Sequence, residues 1–337
     1  MIAALLFALG SVAGPRPGPA AAFARLAPAV SDLMHGTVIT DTLWSQSLGT
    51  KKAVVVYLPP SYAASPARRY PVAYYLHGAF GSEVDWTSHG QLNVVMDSLV
   101  AAGAREMIVV MPDGDDGWYT TWNSLVTVEA CRKTAPVREP VATYCVPWQH
   151  YDDYIARDIV QFTDKSFRTR ADRAHRAIGG LSMGGYGAMA LAFEYPDVWS
   201  AAASHSGVLA PLYVGPAPFD GHPQWAASGA ELEQWWGTTF WPLVAPAFGR
   251  DTAAWWSRDP GRRLERLVAK QGKAAVPALF ADCGTGDGLV NENRAFKAKA
   301  EALGVPIVYR EWPGKHDWAY WRAHEGESLA WIAGRMR

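Results

Sequence analysis

The chain is short of every feature that would make it a binder of large charged partners. It has 31 Lys and Arg against 32 Asp and Glu, a net charge of −1, and no run of basic residues. Nucleic acid and anionic membrane surfaces are therefore excluded as evident partners. There are only three cysteines, with nothing resembling a Cys/His zinc cluster. No fixed-period repeat is visible, and no Gly-x-x-x-x-Gly-Lys phosphate loop. The one long apolar run, Ile2 to Ala13, is too short to span a bilayer and is broken by Gly14-Pro15. What the chain does have is a hydrophobic content of 49% over 337 residues. That is enough core for one large α/β domain with insertions, or at most two domains.

The most informative stretch is Ile178-Gly179-Gly180-Leu181-Ser182-Met183-Gly184-Gly185-Tyr186-Gly187-Ala188. It contains Gly-x-Ser-x-Gly, the pattern of a nucleophile elbow, in which a tight strand-to-helix turn lifts a serine hydroxyl above a sheet. Glycines at 180 and 184 fit because a Cβ there would meet a neighbouring strand or helix. Ala174 to Gly180 reads as a short buried strand, and Tyr186 to Phe193 as a small apolar helix packed on a sheet. The bland alternative is a glycine-rich turn, but the flanks favour a catalytic Ser182.

A serine needs a base and an orienting acid, which in this kind of sheet follow it in the order acid, then His. His316, in Glu311-Trp312-Pro313-Gly314-Lys315-His316-Asp317-Trp318, follows the apolar run Val305 to Tyr309 and falls at the C-terminal end of the last strand. His324 lies in the next helical stretch and reads as a surface residue. After the strand Val276 to Ala281 come two acids, Asp282 and Asp287. Asp282 abuts the strand, where a carboxylate often anchors a loop. Asp287 follows a glycine-rich turn able to carry it towards His316, and is taken as the acid, with Asp282 as the alternative. The strand Pro71 to Leu76 leads into His77-Gly78-Ala79-Phe80-Gly81, the position that supplies one oxyanion donor. The backbone N–H groups of Ala79 and Met183 are the expected pair, and His77 is read as structural.

Taken together, Val56-Tyr57-Leu58-Pro59-Pro60-Ser61-Tyr62, Tyr75-Leu76-His77-Gly78, Gly180 to Gly185, Cys283-Gly284-Thr285-Gly286-Asp287 and His316-Asp317-Trp318 resemble the putative-esterase family of α/β-hydrolases. That group includes tributyrin-type esterases, S-formylglutathione hydrolases, feruloyl and acetyl-xylan esterases, and mycolyltransferases. The resemblance runs from about residue 36 to the C-terminus. It implies an α/β-hydrolase fold, with a mostly parallel sheet covered by helices on both faces, and maps Ser182, Asp287 and His316 onto the catalytic triad. One departure is Gly288, where the family often has a bulky apolar residue after the Asp. The coarse strand and helix pattern agrees: an antiparallel hairpin over 38–58, central strands at 72–76 and 107–111, and helices over 91–102, 151–167 and 293–303.

The remaining expectations concern export, cross-linking and substrate. Residues 1–24 read as a signal peptide ending at Ala22-Phe23-Ala24, atypical in having no Lys or Arg before the apolar run. Residues 25–35 would be a lead-in and 36–337 the catalytic domain, giving a secreted or periplasmic protein with no stable membrane anchor. In such a protein Cys131 and Cys145, bracketing a polar loop, are the natural disulfide, with Cys283 left as a buried thiol. The long connection over residues 211–265 carries six Trp and reads as a lid insertion. Those Trp would form either a substrate wall or the insertion's own core. Phe80, Trp86, Trp118 and Trp318 are placed near the mouth of the site as substrate contacts. Asp113, Asp115 and Asp116 are read as a solvated loop rather than a calcium site, so neither metal nor cofactor is expected. The function expected is hydrolysis of a short-chain acyl, aryl or carbohydrate ester through an acyl-enzyme. The alternatives are acyl transfer to a sugar, a serine peptidase, or a binding protein on a hydrolase scaffold.

Overall fold

The computed structural model describes residues 35–336 other than 125, 138 and 139. The expected signal peptide and nearly all of the lead-in lie outside the described residues.

The chain opens with an antiparallel hairpin, β1 (Thr37–Ser45) and β2 (Thr50–Leu58), paired from Thr37↔Leu58 to Ser45↔Thr50. The turn closes at Gly49, whose φ of +69° suits a residue without a Cβ. Next come β3 (Val72–Leu76), β4 (Ile108–Pro112), β5 (Arg176–Leu181) and β6 (Ala201–His205). A short pair, β7 (Tyr213–Gly215) and β8 (Gln224–Trp225), precedes β9 (Ala278–Gly284) and β10 (Ile307–Trp312). The eight-stranded sheet has the order β1-β2-β4-β3-β5-β6-β9-β10. β2 pairs antiparallel with β4, and every pairing from β4 to β10 is parallel.

The sequence explains why both faces are covered. β3 and β4 are apolar and buried at every position, as strands sandwiched between helical layers are. Alternation sorts their side chains: Val72, Tyr74 and Leu76 join one core, Ala73 and Tyr75 the other. The first core takes the helix Met183–Glu194 and the insertion; the second takes the helices Leu92–Ala101 and Trp318–Arg335. The helix Met183–Glu194 is small and apolar all round, which lets it sit buried against β5 and β6.

Within the insertion, the helix Gly229–Phe248 is interrupted at Gly237 (φ 65°, ψ 177°), and the helices Thr252–Arg258 and Pro260–Gln271 follow. Its Trp residues differ in burial. Trp241 and Trp255 are buried and stacked at 6.1 Å, with Phe248 4.7 Å from Trp255, so these make the insertion's own core. Trp235, at 54%, and Trp225, at 37%, are exposed. The disulfide Cys131–Cys145 is present and Cys283 is free and buried.

Candidate active site

The parallel strands all end on one edge of the sheet, and the loops leaving that edge carry the chemistry. Ser182 follows β5 directly, with φ 53° and ψ −117°. This is a strained conformation for a residue with a side chain, held in part by donation from the Ser182 N–H to the His205 carbonyl at 2.9 Å. The turn can be this tight only because its flanks are glycine. A Cβ on Gly180 would lie 2.5 Å from the Gly184 backbone, and one on Gly184 would lie 2.2 Å from the Leu76 carbonyl oxygen.

The loops after β9 and β10 are zipped together. Thr285 N–H donates to Trp312 O at 2.8 Å, and Gly286 N–H to Gly314 O at 2.9 Å. The approach requires Gly284, where a Cβ would stand 2.6 Å from Gly314 O. The result places Asp287 beside His316. Asp287 Oδ2 lies 2.8 Å from His316 Nδ1, and His316 Nε2 lies 2.9 Å from Ser182 Oγ. With Nδ1 donating to the carboxylate, Nε2 is left as the acceptor facing the serine hydroxyl. The His ring stands edge-on to Trp321 at 5.0 Å.

Asp287 is buried and its Oδ1 accepts from Leu289 N–H at 2.8 Å. Burial pushes its carboxyl up, but the hydrogen bond and charge of His316, with the Leu289 N–H, more than offset this and hold it below the usual carboxylate range. The alternative acid, Asp282, is turned elsewhere: it lies with Tyr320 OH at 3.0 Å and His205 Nδ1 at 2.7 Å, wholly buried. Cys283 lies next to it, and burial pushes its thiol up, away from the thiolate form.

The turn at 78–81 is closed by Gly81 N–H donating to Gly78 O at 3.1 Å. It passes close to the elbow, since a Cβ on Gly78 would be 3.4 Å from Ser182 Cβ. Ala79 N–H and Met183 N–H find no hydrogen-bond acceptor among the described residues. His77 is buried; its Nδ1 lies 2.8 Å from Gly78 O and its Nε2 accepts from Gly114 N–H at 2.8 Å.

The four aromatic residues expected at the mouth separate. Phe80 is 44% exposed and faces Phe240 at 5.7 Å. Trp318 is half-buried at the start of the last helix, edge-on to Trp86 at 5.5 Å. Trp86, by contrast, is wholly buried, its Nε1–H donating to Leu76 O at 3.1 Å. Trp118 is also buried, wedged against Tyr186, Trp236 and Phe248 at 5.3–5.7 Å, where it joins the insertion to the sheet layer. Neither ring is available to a substrate here, because each fills core space that loop-position reasoning cannot see.

Two further expectations are corrected. Asp113, Asp115 and Asp116 are buried rather than solvated. Asp113 and Asp115 flank the buried Lys52 ammonium at 2.5 and 2.6 Å. Burial alone would lower the Lys52 pKa, and the two carboxylates outweigh it and raise it. His324 is half-buried and stacked flat on Trp312 at 4.2 Å instead of facing solvent. The sequence reading missed Asp116, Tyr119 and Trp321 as neighbours of the site machinery. Asp116 and Tyr119 reach it from a loop about 40 residues away from the turn they bond, and Trp321 turns back onto His316 from the first turn of the last helix.

The comparisons agree with this architecture. Residues 45–330 match the family described as Putative esterase, and the chain belongs to that family. An esterase of Mycobacterium tuberculosis is 28% identical over 279 residues, covering 81% of this chain and 54% of that protein. The chain thus spans about half the length of these mycobacterial relatives. An acetyl esterase of Caldicellulosiruptor saccharolyticus is 24% identical over 261 residues, covering 77% of this chain and 82% of that one. Among solved structures, a ferulic acid esterase superposes with a TM-score of 0.66 at 28% identity, over 90% of this chain and all of that one. An S-formylglutathione hydrolase from Agrobacterium tumefaciens shares the fold, with a TM-score of 0.65 at 18% identity over 90% and 97% of the two chains. The fold is that of the α/β-hydrolase esterases, and the family and the esterases among these relatives are carboxylic ester hydrolases.

Proposed function

We propose that the chain is a serine carboxylic ester hydrolase working through an acyl-enzyme, with Ser182 as nucleophile, His316 as base and Asp287 as its orienting acid. The observation that carries this reading is the continuous relay Ser182 Oγ–His316 Nε2 at 2.9 Å and His316 Nδ1–Asp287 Oδ2 at 2.8 Å, built on a strained elbow. In the first step His316 Nε2 takes the hydroxyl proton as Oγ bonds to the ester carbonyl carbon. Asp287 stabilises the imidazolium so formed. Ala79 and Met183 N–H groups receive the negative charge on the carbonyl oxygen. The imidazolium then protonates the leaving alcohol, and water activated by the same ring releases the acid.

The substrate class we assign is a short-chain acyl, aryl or carbohydrate ester, with Phe80 and Trp318 as contacts. The acetyl esterase and the ferulic acid esterase among the similar proteins support it. We also take residues 36–337 as one catalytic domain with its insertion at 211–265, and residues 1–24 as an export signal. The Cys131–Cys145 disulfide supports export, because such bonds persist in oxidising compartments. The test is hydrolysis of p-nitrophenyl esters of graded acyl length, methyl ferulate and acetylated xylan, with Ser182→Ala alongside. Activity that vanishes in the variant supports the reading; a folded wild type inactive on all of them sinks it.

A further inference from the structure

We propose that Asp116 is a positioning residue that sets the shape of the oxyanion turn; the inference rests on the assignment of Ala79 as an oxyanion donor. Phe80 N–H donates to Asp116 Oδ1 at 2.7 Å. Phe80 has φ +66°, whereas Ala79 keeps an ordinary negative φ, the pattern of a type II turn over Gly78–Gly81. A type II turn wants glycine at its third position, and a phenylalanine there has to be held in place. In the competing type I turn the peptide between Ala79 and Phe80 is flipped, so the Phe80 N–H would point away from its present acceptor. A buried carboxylate accepting that N–H selects one flip over the other.

The rest of the same loop clamps the other end of the turn. Gly114 N–H donates to His77 Nε2 at 2.8 Å, and Tyr119 OH donates to His77 O at 3.0 Å. Residues 113–119 therefore grip the segment 77–80 at three points, and Ala79 lies between them. Holding them costs backbone strain: Asp115, Trp118 and Tyr119 all have positive φ, at 48°, 55° and 45°. The strained loop also carries Asp113 and Asp115 on Lys52, so its backbone is anchored on one side while Gly114, Asp116 and Tyr119 reach the turn on the other. Asp116 is itself braced, since Tyr144 OH donates to its Oδ2 at 3.1 Å and Tyr144 precedes Cys145 of the disulfide. The cross-linked loop is thereby connected to the oxyanion turn through a single carboxylate.

The test is steady-state kinetics on p-nitrophenyl acetate for wild type, Ser182→Ala, Asp116→Ala, Asp116→Asn and Tyr144→Phe, with melting temperatures recorded for each. Without the acceptor in Asp116→Ala the positive φ of Phe80 is no longer held and the turn that carries the Ala79 N–H loosens, so kcat falls by about 10²-fold while KM moves less. Asp116→Asn retains an acceptor oxygen and recovers most of kcat; Tyr144→Phe lowers it a few-fold. Affinity for a boronic acid, which imitates the tetrahedral oxyanion, falls in step with kcat rather than with KM. If Asp116→Ala does not fold, Asp116→Ser is read in its place, and failure of both to fold overturns the proposal. A folded Asp116→Ala with wild-type kcat also overturns it, as does an equal loss in Asp116→Asn. Wild type inactive on every ester sinks the esterase reading instead, which separates the two failures.

Discussion

The molecule contains two sets of serine, histidine and aspartate joined in the same order. One is Ser182, His316 and Asp287. The other is Ser328, His205 and Asp282, with Ser328 Oγ 2.7 Å from His205 Nε2 and His205 Nδ1 2.7 Å from Asp282 Oδ2. By distance the second set is at least as tight as the first. Everything else differs. Ser182 stands on a strained turn beside unbonded N–H groups, and the His316 side chain is 35% exposed. Ser328 lies within a regular helix, wholly buried, donating to Glu325 O and sharing its Oγ with Tyr75 OH. The Asp282–His205 approach is a close contact rather than an aligned hydrogen bond. Residue types and spacing thus do not make a triad. Access, a nucleophile aimed out of the backbone, and donors for the developing charge distinguish the two sets. They are also physically joined, because the His205 carbonyl receives the Ser182 N–H. The buried set serves as foundation for the open one.

This contrast can be broken most sharply by serine replacement. Ser182→Ala should lower kcat/KM on p-nitrophenyl acetate by roughly 10⁴-fold or more, whereas Ser328→Ala should leave a folded enzyme with near wild-type kcat. Equal losses would erase the distinction. Next in size is the acid. Asp287→Asn should cost about 10⁴-fold in kcat by releasing the His316 tautomer. Because the Asp287 carboxyl is held below its ordinary range, it stays ionised, and its contribution to stability is lost only as pH falls through that depressed value. A pH titration of stability in wild type and Asp287→Asn should accordingly show a difference at neutral pH that shrinks as pH falls through that depressed value.

The buried set should answer through stability instead. His205→Ala strands a buried carboxylate and should cost about 3–5 kcal/mol, read from urea denaturation. The smallest effect sharpens the comparison at its edge. Glu325 is wholly buried near Ser328 with neither carboxyl oxygen bonded among the described residues. Burial pushes its pKa up to about 9. Its unfolded carboxyl ionises near 4.5 while the folded one keeps its proton, so stability is full below the first value and declines as pH rises towards the second. Glu325→Gln should therefore raise the melting temperature by a few degrees at pH 8 and leave it unchanged at pH 4.

Much of this was legible in order along the chain because it rests on local rules. Gly180 and Gly184 announce a turn that only a missing Cβ permits, and the continuous apolar run Val72 to Leu76 announces a strand buried on both faces. Chain order led from Ser182 to Asp287 and His316, and the structure brings those three side chains within hydrogen-bonding reach of one another. Chain order could not say which loop residues turn inward. Trp86 and Trp118 were expected at the mouth of the site, yet both rings are core, because each packs against elements brought beside it by the fold, Trp86 against Tyr75 and Trp318, Trp118 against Tyr186, Trp236 and Phe248. Asp113 to Asp116 looked like a solvated acidic loop until Lys52, from the edge hairpin, was found inserted among them.

The sequence by itself pointed to the sheet, the elbow and the three side chains of the proposed triad, since backbone periodicity and the conformational freedom of glycine act over a few residues. Only the tertiary structure decided which of two Ser/His/Asp sets faces solvent, which aromatic rings are free, and which carboxylate accepts the Phe80 N–H. Burial and hydrogen-bond partnership are properties of pairs of distant segments, and no local window contains them.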